Sequence, residues 1–198
     1  MILDKQHQAR EFLMPLPEED RLGEELLGQI KGRGRPTNTA EPVTSEGVDA
    51  LPPHLFEALI ACLLEDQGRR TILTARSNDH GADVLSFHGG EVWIVQAKHT
   101  AREILVGSLA MSDLMAARMS YATPLSYSVC LMAVTNGNFS SETQKEASQH
   151  GIRLLDRREL MSQIRSSSLT MGRVYTRESD RCRSFDEGIR SAKKWFEI

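Results

Sequence analysis

The chain has 198 residues, of which 40% are hydrophobic and 26% are charged, so it suits one globular domain of ordinary size with extra segments. Its formal net charge is −3, no apolar run approaches the ~20 residues that span a membrane, and the N-terminus MILDKQHQAR lacks a secretory apolar region. The three cysteines, Cys62, Cys130 and Cys182, are odd in number and far apart, which argues against a disulfide framework or a zinc site. A cytoplasmic protein that engages no membrane is therefore expected.

Residues 1–50 are predicted to be an appendage made of a short helix and a flexible linker. Apolar residues recur at helical spacing within 18–30, and the following stretch to residue 51 is rich in Gly, Pro, Thr and acidic residues. Its segment KGRGRP is similar to the core of an AT-hook, in which arginines enter a narrow A·T minor groove. Arg33 and Arg35 are therefore candidate DNA-binding residues, and a plain basic linker is the alternative.

A domain over residues 51–165 is predicted to begin with a helix and a strand. Leu and Ile recur at helical spacing after the Pro52-Pro53 pair, which suits a first helical turn, and the pattern runs through Gln67. Glu57 lies beside the apolar stripe of this helix. Residues 70–75 follow as a first strand.

A β-hairpin is predicted next. Two strand-like runs flank HGGE, and a Gly-Gly pair favours a tight two-residue turn. Counting outwards from Gly89 and Gly90 places Asp83 opposite Gln96, and the alternation of side chains puts Lys98 on the same face. Asp83, Gln96 and Lys98 are therefore expected to converge at one end of the hairpin.

A carboxylate, an amide and a lysine at the end of a sheet suit a divalent metal ion and a phosphate. Asp83 offers a hard oxygen for Mg²⁺, and the side chain of Gln96 or the carbonyl of Ala97 offers another. Lys98 is suited to stabilise the charge of a phosphate or to deprotonate a water. The alternative is that Gln96 and Lys98 only end an edge strand in solvent, and the spacing alone leaves both interpretations open.

Helices and strands alternate after the hairpin. The alternation of buried strands with helices argues for an α/β layered sheet. The predicted elements are one or two helices within 102–121, a strand at 127–135, a helix at 141–150, a strand at 152–155 and a helix at 158–164.

Several of these segments resemble, in the same order, the catalytic domain of Mrr-type restriction endonucleases. These enzymes are members of the PD-(D/E)xK nuclease superfamily in which Gln replaces the second acidic residue. The likeness covers roughly Leu51 to Ile164. It rests on Phe56-Glu57, Gly81-Ala82-Asp83, Val95-Gln96-Ala97-Lys98, Val134 to Ser140, and Gly151 to Asp156.

The resemblance implies a restriction-endonuclease-like αβββαβ core, with a mixed central sheet flanked by helices. It also implies Mg²⁺-dependent hydrolysis of DNA phosphodiesters, with Mn²⁺ able to substitute. Asp83, Gln96 and Lys98 would form the catalytic trio, and Glu57 would be an auxiliary acid and metal ligand. Asp79 matches the first acidic residue of the family's D-x-G-x-D loop.

Basic residues beside the predicted site are candidate contacts to DNA. His80 and His99 flank the trio and Arg102 follows it closely, so all three are expected near a substrate phosphate. The C-terminal part is also basic, and a DNA enzyme needs local positive surface rather than a positive total. Dispersed, solvated charges are the alternative for its arginines. They include Arg153, Arg157, Arg158, Arg165, Arg173, Arg177, Arg181 and Arg183.

Residues 166–198 are predicted to be a basic extension that ends in an amphipathic helix, Phe185 to Phe196, which docks on the domain or on another chain.

Cutting both DNA strands needs two sites, so we expect a homodimer or a subunit of a larger complex, in restriction or anti-phage defence. Two other functions stay open: a catalytically silent module that binds DNA or organises an assembly, and an enzyme for branched DNA or for RNA.

Overall fold

The computed structural model describes residues 40–76, 80–101, 104–125 and 128–196. Among these residues, no helix is long and apolar enough to cross a membrane. Several sequence-based predictions lie outside the described residues: the helix within 18–30, the AT-hook-like segment with Arg33 and Arg35, Asp79, and Arg102.

Seven strands and seven helices are found in the described residues. The strands are β1 (Arg70–Leu73), β2 (Val84–His88), β3 (Glu91–Lys98), β4 (Leu105–Val106), β5 (Ser128–Thr135), β6 (Asn138–Phe139) and β7 (Arg153–Leu155). The helices are α1 (Ser45–Asp49), α2 (Pro53–Asp66), α3 (Leu109–Leu125), α4 (Ser141–His150), α5 (Arg157–Ser166), α6 (Met171–Ser179) and α7 (Phe185–Phe196).

Five of the strands form one mixed sheet in the order β1-β2-β3-β5-β7. β1, β2 and β3 are antiparallel neighbours, whereas β3, β5 and β7 are parallel. β4 and β6 pair separately, in parallel. Parallel neighbours need crossover connections, which α3 and α4 supply. This arrangement confirms the predicted α/β fold with its αβββαβ order.

The turn between β2 and β3 has the predicted register. Gly89 and Gly90 have positive φ angles of 56° and 81°, which a tight hairpin turn requires and which glycine adopts without strain. Leu85 consequently pairs with Ile94. The same count places Asp83, one position before β2, beside Gln96.

Strand residues alternate between two apolar layers, one on each face of the sheet. Val84 and Val95 pack in the layer that contains α1, α2, α5 and α6. Leu85 and Ile94 pack in the opposite layer, with α3, α4 and α7. α2 begins with Pro53 at its first turn, and its apolar residues are buried almost throughout, so it is the central helix of its layer.

The segment after β3 differs from the sequence-based prediction of helix within 102–121. Leu105 and Val106 pair with Asn138 and Phe139 as short strands, and α3 begins only at Leu109. Hydrophobic periodicity does not separate two strand residues from a helix that follows them, because the decisive partner lies more than 30 positions away in the chain.

The C-terminal residues cover the open edge of the sheet. β1 is an edge strand, and its outward carbonyls accept hydrogen bonds from Arg177 Nη2 at Thr71 (2.5 Å) and from Cys182 N at Leu73 (3.1 Å). α7 packs on α3, where the rings of Phe185 and Tyr121 lie 4.9 Å apart. The amphipathic helix thus docks on the domain itself, and the residues that precede it, Arg177 and Cys182, protect an edge that would otherwise pair with other chains.

Candidate active site

Asp83 and Gln96 form a buried pair at one end of the hairpin. Asp83 continues the strand ladder, since its N–H donates to Val95 O at 2.9 Å. Its Oδ2 accepts hydrogen bonds from Ala97 N at 2.6 Å and from the side-chain amide of Gln96. The two residues are only 7% and 6% exposed. A buried carboxylate with such donors is held in one orientation.

Lys98 reaches a carboxylate that the sequence motifs did not single out. Its Nζ lies 2.8 Å from Oδ2 of Asp113 in α3, and the two side chains are 33% and 43% exposed. Asp113 is the single acidic residue of α3, the helix that follows β3 in the chain. That fact is the only sequence signal for it, because the contact depends on how α3 crosses the sheet.

The loop before Asp83 packs tightly against the same point of α3. His80 and Gly81 have positive φ angles of 55° and 83°. A Cβ built on Gly81 would lie 3.0 Å from the carbonyl carbon of Asp113 and closer still to its oxygen. Glycine is therefore required here, and the close approach fixes the loop that carries Asp83 against the helix that carries Asp113.

Glu57 lies in α2 and forms an ion pair with Arg181 from the C-terminal region. The Nη2–Oε2 distance is 2.8 Å, and the two side chains are 16% and 7% exposed for Glu57 and Arg181 respectively. Arg181 also pairs with Glu178 and donates to Thr74 O at 3.0 Å. Burial by itself lowers the pKa of Arg181, but its contacts with Glu178 and Glu57 outweigh burial and raise the pKa.

Arg181 links the predicted auxiliary acid to the strand end that carries Asp83. Thr74, whose carbonyl accepts from Arg181, donates its hydroxyl to Asp83 O at 2.9 Å. Arg181 was predicted only as one of several surface arginines, since nothing local to it in the sequence indicates a partner more than a hundred residues earlier.

The two histidines beside the trio have partners within the protein. His99 Nε2 lies 3.0 Å from Val48 O, and its ring packs edge-on against Phe56 with centroids 5.2 Å apart. The ring of the exposed His80 packs against Phe185 at 4.6 Å. Their contact with a DNA phosphate stays a prediction.

A polar network fixes the loops that follow β3 and β5. Thr100 N donates to Asn136 Oδ1 at 2.8 Å, and Asn136 Nδ2 donates back to Thr100 O at 3.0 Å. Arg157 binds both carboxylate oxygens of Asp49 at 2.5 and 2.8 Å, and this hydrogen bonding raises the pKa of Arg157. Arg157 also donates to Asn136 O, so the network ties α1 and α5 to the strand ends beside Lys98.

Most of the C-terminal arginines are engaged with carboxylates of the same chain. Arg173 pairs with Asp66 and Glu65, and Arg177 pairs with Glu65 at 3.0 Å. Arg153, Arg157 and Arg181 also have acidic partners. Among the described residues, these five of the eight arginines are therefore largely neutralised by acidic neighbours, and their prediction as open positive surface does not match these contacts.

The protein supplies few ligands for a Mg²⁺ ion beside Asp83. Among the described residues, no group of three or more His, Cys, Asp or Glu side chains is arranged to hold a metal ion. Mg²⁺ in phosphate chemistry is held by one or two carboxylates, with waters and substrate oxygens completing the shell. Asp83 and the neighbouring carbonyl of Ala97 are oxygen donors of this kind. They fit a Mg²⁺ that the substrate helps to hold.

A five-stranded mixed sheet flanked by helices, with an aspartate and a lysine at the end of its central strands, defines a restriction-endonuclease-like fold. The family model of the Mrr catalytic domain, described as restriction endonuclease, matches residues 48–164, more than half of the chain. The chain belongs to this family of restriction endonucleases.

Two solved structures share the fold. The MspJI restriction endonuclease, in complex with a 27-mer oligonucleotide, has 17% identity and a TM-score of 0.50, covering 80% of this chain and 42% of that chain. The DNA modification-dependent restriction endonuclease AspBHI has the same identity and TM-score, covering 80% of this chain and 43% of that chain. This chain thus spans less than half the length of either. No curated protein matches it significantly.

Proposed function

We propose that the chain is a Mg²⁺-dependent DNA endonuclease that acts in restriction or anti-phage defence in the cytoplasm. The observation that carries the proposal is the buried contact of Asp83 with the side chain of Gln96 and the N–H of Ala97. Gln96 stands two positions before Lys98, and the chain is a member of a restriction endonuclease family. The family generally uses divalent metals. Two solved structures support DNA as the substrate. MspJI was solved with an oligonucleotide, and AspBHI is described as a DNA modification-dependent restriction endonuclease.

Each residue of the site has a proposed role. Asp83 and the carbonyl of Ala97 would hold Mg²⁺, with Glu57 as an auxiliary acid that acts through water. When bound, Mg²⁺ would supply the positive charge that stabilises the phosphate in the transition state. Lys98 would orient the attacking water through its ammonium or, as the neutral amine, take the proton of that water.

Gln96 has the most specific role of the site. Its amide group donates to Asp83, which supports a role in orienting the metal-binding carboxylate. Because Gln96 is neutral, the site has one negative charge fewer than a site with two acids on these strands, and a second tightly held ion is less favoured.

The proposed enzyme works as a homodimer or as the nuclease subunit of a larger defence complex. One chain presents one trio, and cleavage of both DNA strands needs two. The chain also spans less than half of MspJI and AspBHI. A partner or a further segment would therefore select the DNA.

The direct test is Mg²⁺-dependent cleavage of plasmid and linear DNA, each prepared with and without base methylation. We expect cleavage by the wild-type protein, at least about a thousandfold loss in Asp83→Ala and in Lys98→Ala, and no activity in EDTA. Exposed Glu142 offers a matched control, since Glu142→Gln should cleave normally.

Cleavage by Asp83→Ala at the wild-type rate would refute the proposed site. Tight DNA binding by wild type without cleavage on any of these substrates would instead favour a silent DNA-binding module. Thermal unfolding should show that both variants are folded at the assay temperature, which excludes unfolding as the cause of lost activity, although Asp83→Ala should melt earlier because two buried donors lose their acceptor.

A further inference from the structure

We propose that Asp113 is the positioning residue of Lys98. The inference rests on the proposed nuclease function and adds to it a residue outside the D-x₁₂-Q-x-K pattern. The motif supplies no acidic partner for the lysine on its own strand, because the residue two positions before Lys98 is neutral and its amide is directed to Asp83. Lys98 instead contacts a carboxylate from a different element, at 2.8 Å.

The position of Asp113 is fixed by its surroundings on both sides. The neighbouring helix residues Met111 and Leu114 are fully buried, so this part of α3 cannot shift without disturbing the core. The backbone of Gly81 lies against the carbonyl of Asp113. Asp83 follows Gly81 by two positions, so one rigid contact relates the proposed metal-binding carboxylate to the residue that holds the lysine.

A lysine needs such a partner because its side chain has four rotatable bonds and its ammonium is partly exposed. Ordering a side chain of this kind costs conformational entropy, which an ion pair at a fixed point offsets before substrate binds. Reaction rates depend strongly on the placement of the catalytic group. A pair this exposed contributes little to folding stability, so its main effect is on where the Nζ of Lys98 lies.

Three variants separate the positioning of Lys98 from a structural role: Asp113→Asn, Asp113→Glu and the control Glu142→Gln. The first measurement needs no nuclease activity: the rate of reductive methylation of Lys98, followed by mass spectrometry. We expect Lys98 to react several-fold faster in Asp113→Asn than in the wild type, because its ammonium has lost a partner. Asp113→Glu and Glu142→Gln should stay close to the wild-type rate.

The second measurement is steady-state cleavage of a plasmid substrate in Mg²⁺. Asp113→Asn should lower kcat by about 10- to 100-fold, the range of a misplaced catalytic group, while KM changes by less than about threefold. Asp113→Glu should recover part of the loss, since it restores the charge on a longer arm.

The possible failures are distinguishable. An unchanged methylation rate in Asp113→Asn would overturn the contact, and an unchanged or raised kcat in that variant would overturn its catalytic use. A wild-type protein that protects Lys98 yet cleaves no DNA would refute the proposed nuclease function, and with it the positioning role. If the wild type cleaves DNA, but no faster than Asp113→Asn does, the nuclease function stands and only the positioning role is refuted.

Discussion

Single residues decide the character of the site, and Gln96 is the clearest example. An amide donates a hydrogen bond to the buried Asp83, which a carboxylate in its place cannot do unless it is protonated. The neutral residue is therefore suited to hold the carboxyl group of Asp83 in place before any metal ion arrives. Two acids in contact at this depth would repel each other until a cation bound between them.

Gln96→Glu should expose this difference. In EDTA we expect the variant to lose about 1–3 kcal/mol of stability, because a donor is replaced by a second carboxylate beside a buried one. Its melting temperature should fall by roughly 2–10 °C and recover on addition of Mg²⁺ by more than that of the wild type. The same change at the exposed Gln149 is the matched control. Equal melting temperatures of Gln96→Glu and wild type in EDTA would contradict the assigned hydrogen bond.

His54 makes the stability of the protein depend on pH. Burial and the charge of Arg76 lower the pKa of His54 below its usual value of 6.5. The unfolded chain therefore takes up a proton before the folded chain does, so stability that is present above about pH 6.5 is lost as the pH falls through that value. Hydrogen bonds, above all the one from Cys130, lower the pKa of Glu91 below its usual value of 4.5. The contribution of Glu91 to the free energy of unfolding is therefore lost only at a more acidic pH.

The measurement is the free energy of unfolding in urea between about pH 7.5 and pH 5.5. We expect His54→Gln to lose less stability over this range than the wild type, whereas the same change at the exposed His150 should leave the dependence closer to that of the wild type. An identical pH dependence in His54→Gln and wild type would show that His54 does not titrate differently in the two states.

Among the helices and strands, the features that depend on local sequence could be predicted. Gly89 and Gly90 set the hairpin register, and that register alone placed Asp83 beside Gln96. The buried strand at Ser128–Thr135 was visible as an apolar run. The polar helix α6 was not, because it buries only Val174 and is held by arginines whose partners lie in α2.

Asp113 and Arg181 were missed for a related reason. Each becomes part of the site through the crossing of elements distant in sequence, and neither stands in a motif. A single sequence carries the periodicity of each helix, but not the angle at which α3 crosses the sheet. Contacts between an isolated acid and an isolated base are therefore the part of a site that local patterns predict least well.

The contact between the loop at Gly81 and α3 is open to a direct test. Gly81→Ala should destabilise the protein by about 2 kcal/mol or more and lower the rate of cleavage, because the new methyl group collides with Asp113 while φ stays positive. Gly68 is a close control, with a φ of 79° and no atom near a built Cβ. Gly68→Ala should cost only about 1 kcal/mol. If the two variants lose the same free energy of unfolding in urea, backbone strain accounts for both losses and no collision with Asp113 is needed.

At the scale of the whole molecule, the C-terminal region belongs to the same folded unit as the hairpin. Arg181→Met should cost about 3–5 kcal/mol in urea unfolding, because Glu57 would lose this cation in a largely buried position and Glu178 would be left with its contact with Arg76. The exposed Arg190 provides the control, and Arg190→Met should change stability by less than about 0.5 kcal/mol. Similar stability of the two variants would show that Glu57 does not depend on Arg181.

The position of Arg181 also makes an early helix depend on a segment that is synthesised much later. Its guanidinium donates to the carbonyl of His54, a residue made 127 positions earlier. A chain that ends before Arg181 lacks this cation beside Glu57 and lacks the Cys182 N–H that binds the edge of β1. We expect such a chain to be cleaved by proteases several-fold faster than the full chain, and equal rates in limited proteolysis would show that these late contacts do not close the fold.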